Sequence, residues 1–279
     1  GDPTAGEMGR CLWWRGDVGV GHAAFSLLSV YCVGCTGRNF SASPFAWSGC
    51  TRAGRPRYAK TETPMPKRSA PYDLISIGDA TVDVFLKIHD ATVHCTLNRR
   101  ACLLCFRYAD KIPVEAVTRV PAAGNAANNA VGSARMGLSV ALVTTLGRDE
   151  AGRGIAAELR ENGVAMPYVV FDPRHGTNYS TVLNFQGERT ILIYHEPRTY
   201  RLPTLAPSVR VYLTSMGKGW ERIVPPLLRY LKTSGASLAF NPGTHQLRSK
   251  PSVIASLLKH TDVLLVNREE AATLLKRSP

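Results

Sequence analysis

The chain has 279 residues, 44% of them hydrophobic, and its 34 Lys and Arg outnumber 21 Asp and Glu to give a formal net charge of +13. That length holds one large α/β domain or two smaller ones with a sizeable core. The charge alone would suit nucleic acid or an anionic surface, but the basic residues form no run and no aromatic-interleaved stripe, so neither nucleic acid nor a membrane is expected as a partner. The seven cysteines are an odd number, which argues against a closed disulfide framework and for a cytoplasmic setting with reduced thiols.

Residues 1–64 show frequent Gly, Ser and Arg without sustained apolar periodicity. They read as an extension, disordered or non-native, and Met65-Pro66-Lys67 looks like the natural start of the domain at 65–279. Within the extension, Val18 to Gly37 carries no Asp, Glu, Lys or Arg and has the length of a spanning helix. Gly19, Gly21, Gly34, Gly37 and His22 make it too weakly apolar for an anchor.

From Tyr72 onward, apolar runs at Leu74–Ile77, Val140–Leu146, Val209–Leu213, Leu238–Phe240 and Val263–Val266 predict strands buried on both faces. Helical stretches separate them, among them Glu221–Leu231, expected to break or kink at Pro225 and Pro226, and Ser252–Leu258 behind Pro251. The alternation predicts a largely parallel sheet covered by helices on both sides. Two stretches depart from it, Val82–Val120 and the hairpin at Thr177–Tyr194, whose strands are joined at Gln186 and Gly187. Their half-polar alternation predicts antiparallel strands with one face free.

The stretch Pro121–Gly154 carries most of the functional signal. Gly124 lets the backbone approach a ligand as no residue with a Cβ can, and Asn125 and Asn128 add amides that both donate and accept, a combination suited to a polyol. Ala126, Ala130 and Ala134 make a thin helix face, Gly137 ends that helix, and Asp149 caps a second one ending at Asn162 and Gly163. Three other sets stand out. Asn267 and Glu270 follow the last strand, where open α/β sheets bind ligands, and Glu270 suits Mg²⁺, with a first-turn helix acid as the plainer reading. His195 and Glu196 close the hairpin. His94, Cys95, Cys102 and Cys105 include one C-x-x-C and form a candidate zinc site, although adjacent His94 and Cys95 leave little freedom for tetrahedral ligation and packed thiols are the alternative. Asn241-Pro242-Gly243 reads as a turn.

Four blocks occur in the order of one family: YDLISIGDATVDVFLKI, AAGNAANNAVGSARMG, STVLNFQGERTILIYHEPR and DVLLVNREEAATLL. Together they resemble the PfkB family of carbohydrate kinases, the ribokinase-like enzymes, with Ala123 standing where the family has the first of two hinge glycines. The resemblance implies an α/β, ribokinase-like three-layer α/β/α sandwich with a mostly parallel central sheet and a small β-sheet lid, here about 82–120 and 177–194. It implies ATP-dependent phosphorylation of a sugar or nucleoside hydroxyl with Mg²⁺, sugar hydroxyls bound by Asp83, and Asn267 and Glu270 near metal and phosphates. Gly124, Asn125 and Asn128 fall in the same substrate-binding block, His195 and Glu196 at its mouth, and the lid offers a homodimer interface. The family's threonine-x-glycine-alanine-glycine-aspartate run, which supplies the anion hole and the base, does not occur in the sequence. The chain therefore reads as lacking the C-terminal part, with its base expected beyond Pro279 and no turnover of its own. Alternatives from other classes are an inactive sugar-binding or interaction fragment and a basic nucleic-acid-associated protein.

Overall fold

The apolar runs spaced between helices become the strands of one sheet. The computed structural model describes residues 30–31, 71–96 and 102–275, and the stretch read against an anchor lies almost wholly outside them. Seven strands pair in the order β1 (Val30–Tyr31), β13 (Val263–Leu265), β12 (Ser237–Phe240), β11 (Ser208–Leu213), β2 (Tyr72–Ile77), β7 (Val140–Gly147) and β8 (Ala165–Asp172). All neighbours are parallel except the two-residue β1, antiparallel to β13. This short edge strand lies within the stretch read from the sequence as an extension. From β2 the chain builds outward through β7 and β8, then returns to β11 on the opposite side of β2. The order thus reverses at β2, and such a switch point opens a crevice at the carboxyl ends of the strands.

Alternating side chains feed two cores, one on each face. Ile75, Ile77, Val211, Leu213, Leu238 and Phe240 pack with Trp220, Ile223, Leu227 and Leu257 from the helices on one side. Leu74, Val140, Leu142 and Leu146 pack on the other with α1 (Asn125–Arg135) and α2 (Glu150–Glu161). The alanines of α1 make the close approach that their size allows, Ala126, Ala127 and Ala130 being fully buried. Gly137 at φ 88° follows this helix, and Asp149 caps α2 by accepting from the Gly152 N–H at 2.7 Å, both as predicted. The Pro225-Pro226 pair behaves differently. A 3-10 turn at Trp220–Ile223 comes first, and α3 (Val224–Ser234) then starts with the prolines in its opening turn, where their missing N–H groups leave no bond unmade.

Above one end of the sheet lies a second, four-stranded sheet in the order β10 (Glu188–Tyr194), β9 (Asn178–Phe185), β3 (Thr81–Ile88) and β6 (Val114–Ala123). Gln186 at φ 50° and Gly187 at φ 82° make the tight turn between β9 and β10, positive φ at both central residues matching the right-handed twist of a hairpin. The lid pairs β3 with β6 and β9 with β10 antiparallel, as expected, but β3 with β9 parallel, joining two insertions that sequence reasoning left separate. A further hairpin of β4 (Thr92–Cys95) and β5 (Cys102–Cys105) projects from the first insertion. Cys95 and Cys102 face each other across it as a disulfide, and Cys105 is the free thiol among the described residues. This overturns both the reduced-thiol reading for that pair and the zinc reading of His94, Cys95, Cys102 and Cys105. Two of the four ligands are spent on each other, and no group of three or more His, Cys, Asp or Glu among the described residues is placed to hold a metal ion. No helix among the described residues is long and apolar enough to cross a membrane.

Candidate active site

β2 ends at Ile77, and the chain then carries Gly78 and Asp79 across the carboxyl edge before entering the lid as β3. Asp79 is 6% exposed. Its Oδ2 accepts from the Tyr200 hydroxyl at 2.7 Å and from the Gly217 N–H at 2.9 Å. Burial is the main reason its carboxyl rises to about 6, a rise those two hydrogen bonds oppose. The same burial, with the negative Asp79 beside it, pushes the Tyr200 hydroxyl well above its ordinary value.

The segment leaving the lid returns to this carboxylate. His195 Nδ1 lies 3.7 Å from Asp79 Oδ2, too far for a hydrogen bond, and is buried without a partner. Burial, with the neighbouring His245 ring at 5.8 Å, lowers the His195 pKa and keeps the imidazole neutral at pH 7. Glu196 donates its backbone N–H to Asn178 Oδ1 at 3.0 Å. Two residues on, the Arg198 side chain is 1% exposed, bonded to the Gly176 carbonyl and 3.5 Å from Asp172. It ties the same returning segment to the loop before β9.

Asp83 lies on β3, half-buried, with Oδ1 buried and unpartnered. Burial raises its carboxyl, while a hydrogen bond from Ser180 and the charge of Arg189 pull it back. Gly124 follows Ala123, which pairs with Thr81, so the start of α1 stands beside the start of the lid. A Cβ on Gly124 would meet the Asp79 carbonyl oxygen at 2.9 Å, and its φ is 86°. The close approach read from the sequence is therefore made to Asp79, with the positive φ needed to begin α1, which no side chain caps. Asn128 is exposed one turn into that helix.

Asn125 is drawn elsewhere. Its Nδ2 donates to Asn241 Oδ1 at 3.1 Å, an oxygen that also receives the Tyr212 and Thr214 hydroxyls, and Asn241 Nδ2 donates to the Leu265 carbonyl at 2.7 Å. Asn241 follows the end of β12, is 4% exposed and ties α1, β11, β12 and β13 together, so beyond the turn read from the sequence its side chain is the hub of the carboxyl edge. Two residues past Leu265, Asn267 Oδ1 accepts from the Glu270 N–H at 2.8 Å and Glu270 Oε2 accepts from the Asn267 N–H at 2.9 Å. This reciprocal cap starts the helix at Arg268–Leu275. Glu270 Oε1 makes no hydrogen bond among the described residues, leaving a hard oxygen of the kind Mg²⁺ takes directly or through water.

The structure thus brings Gly124 and His195 against Asp79, while Asp83 sits on β3 of the lid beside Ser180 and Glu196 meets Asn178 through its backbone. Asn125, Asn267 and Glu270 lie along the β12–β13 end of the same edge. Sequence reasoning passed over Asn178 and Ser180, whose signal was present: in Asn178-Tyr179-Ser180 the polar residues alternate on a strand. Tyr200 gave no such signal, lying 121 residues from its partner Asp79.

Residues 105–278 match the pfkB family of carbohydrate kinases. Fructokinase-1 of Oryza sativa subsp. japonica is 45% identical over 94 residues, covering 33% of this chain and 29% of the relative. The Arabidopsis thaliana ribokinase solved with ribose and ATP superposes with a TM-score of 0.54 at 20% identity, covering 73% of this chain and 62% of that one. A nucleoside kinase of Methanocaldococcus jannaschii gives 0.54 at 14% identity, covering 74% and 64%. The match therefore spans less than a third of this curated relative and under two thirds of either solved structure. At such identities the structural likeness establishes the fold.

Proposed function

Because the chain belongs to the pfkB family of carbohydrate kinases, we propose that it serves phosphoryl transfer from ATP to a hydroxyl of a small sugar or nucleoside. The observation that carries this reading is Asp83 Oδ1, a buried carboxylate oxygen without a partner at the meeting of lid and sheet edge. A buried acceptor left unmatched costs about 1–3 kcal/mol, and a sugar hydroxyl removes that cost.

The residues divide the work along the edge. Asp83 accepts from the sugar, neutral His195 offers a ring nitrogen at the mouth, and the exposed Asn128 amide reaches ligand from the α1 side. Gly124 and Asp79 shape the floor, and Asp79, already bonded through Oδ2, positions the returning segment through Tyr200 rather than touching substrate. The lid covers the sugar and excludes water, which strengthens every polar contact beneath it. Mg²⁺, when bound with ATP, neutralises charge on the phosphates. Glu270 would hold it or its waters, with Asn267 fixing the Glu270 backbone. The β10 edge exposes Ile191, Leu192, Ile193 and Tyr194 by 43% to 60%, a surface suited to a second copy of the lid.

One observation favours a second reading, sugar binding without turnover. The sequence contains no glycine-alanine-glycine-aspartate run, and the residues assigned above include neither a base for the hydroxyl nor an anion hole. Both readings are tested by titrating the 279-residue chain calorimetrically with D-ribose, D-fructose and nucleosides, with and without Mg-ATP, beside an ADP-release assay. At least one sugar or nucleoside should bind, and Asp83→Asn should weaken it at least about tenfold, roughly 1.4 kcal/mol. Sugar-dependent ADP release would select turnover, and binding without release the second reading. A chain that binds none of the panel, or an Asp83→Asn variant that binds as wild type does, would overturn the proposal.

A further inference from the structure

The parallel register of β3 and β9 sets Thr81 beside Asn178 and Asp83 beside Ser180. Side chains two apart on a strand share a face, so these four polar residues occupy one face of the lid. Ser180 stands beside Asp83 in register and lies 3.5 Å from the Thr81 hydroxyl. Two atoms on this face are left over. Asp83 Oδ1 and Asn178 Nδ2 are both buried without a partner, and Asn178 as a whole is 1% exposed.

The orientation of the Asn178 amide is fixed by its neighbour. Its oxygen receives the Glu196 backbone N–H at 3.0 Å, a group that only donates, so the other end of the amide is the NH₂ and only donates as well. The lid therefore presents one unmatched acceptor and one unmatched donor. An amine satisfies the first alone and an anion the second alone, whereas hydroxyls satisfy both. Asp83 and Asn178 stand diagonally across this pairing, with Cα atoms about 8 Å apart, a separation that a pair of neighbouring hydroxyls spans. Resting on the sugar-kinase reading, we infer that Asn178 is a second sugar-contacting residue. It donates to one hydroxyl of a vicinal pair whose other member donates to Asp83, and it makes the chain select against the sugar that lacks that hydroxyl.

The test is calorimetric titration of the full chain with D-ribose, D-fructose and their monodeoxy analogues, in wild type, Asn178→Ala, Asn178→Asp and Asp83→Asn. Asn178→Ala is expected to weaken the parent sugar about tenfold. One monodeoxy sugar should bind wild type correspondingly weakly and lose nothing further in Asn178→Ala, the mark of a shared contact. Asn178→Asp keeps the acceptor for the Glu196 N–H and nearly the same shape but buries a carboxyl, so its melting is expected to fall with rising pH, and where a melt shows it folded it should also bind weakly. It carries the test if the alanine variant does not fold. Wild-type affinity in the folded Asn178 variants, with binding lost in Asp83→Asn, overturns this inference alone and assigns the Asn178 amide to water. Failure of every variant and of wild type to bind any sugar overturns the kinase reading together with it.

Discussion

A carboxylate as enclosed as Asp79, 6% exposed, carries its proton to about pH 6 in the folded chain against 3.8 in the open one. Between those values the folded state binds more protons than the unfolded, so stability falls as pH rises through the window. The contribution is whole below pH 3.8 and gone above about 6. The difference amounts to about 3 kcal/mol. Asp79→Asn keeps an oxygen for Tyr200 and Gly217 but cannot ionise. Urea denaturation across pH 4 to 8 should therefore show the variant gaining on wild type as pH rises, by up to about 3 kcal/mol. Parallel curves would show that the Asp79 carboxylate is better solvated than its enclosure implies. Little of this was legible in the sequence. Asp83 and Asp79 are two of the three carboxylates in YDLISIGDATVDVF, and only the fold, by bringing Tyr200 and Gly217 onto Asp79, gives one a structural task and leaves the other an open oxygen.

Asp149 shows the same logic in an element. It caps α2 through Gly152, and it also takes the Thr177 hydroxyl at 2.6 Å and the Thr177 N–H at 2.7 Å, so one carboxylate holds both the helix start and the loop entering β9. Burial pushes its carboxyl up, but the bonds from Thr177 and Gly152 outweigh that and hold it below its ordinary value. Replacing it by alanine removes a cap worth about 1 kcal/mol and strands Thr177 donors at a further 1–3 kcal/mol or so. Chemical denaturation of Asp149→Ala should show a loss of about 2–4 kcal/mol, against a smaller one for Asp149→Asn. A loss under about 1 kcal/mol would mean the bridge to Thr177 contributes nothing. The cap itself was readable from the sequence because capping is local, and so was the Gln186-Gly187 turn, whose backbone demands act within four residues. The long apolar strands were readable from composition. The parallel β3–β9 pairing was not, since nothing in either insertion encodes which strand lies beside it. The Cys95–Cys102 disulfide escaped for a similar reason: an odd cysteine count constrains the set of thiols without saying which two meet.

At the scale of the whole molecule, the described part of the first 64 residues is β1 alone, paired to β13 over two residues. A chain starting at Met65 is expected to melt within about 2 °C of the full one and to keep its ligand response, since a ladder this short contributes little against a domain-wide transition. A drop of several degrees would make the segment a structural part of the sheet. The central sheet was legible as an alternation of elements. The position of the site followed from the strand order reversing at β2, which sequence alone did not supply. The parallel β3–β9 ladder has a further consequence, for the order of assembly. Its Thr81–Asn178 pair closes a loop of 97 residues, so that contact forms late, after the local helices and the β9–β10 hairpin, because the entropy of closing the loop must be met first. On a ribosome, Asp83 emerges long before the strand that lies beside it. On the proposed reading, the nascent chain is blind to sugar until the second insertion has been made and docked, and competence to bind becomes a marker of completed folding.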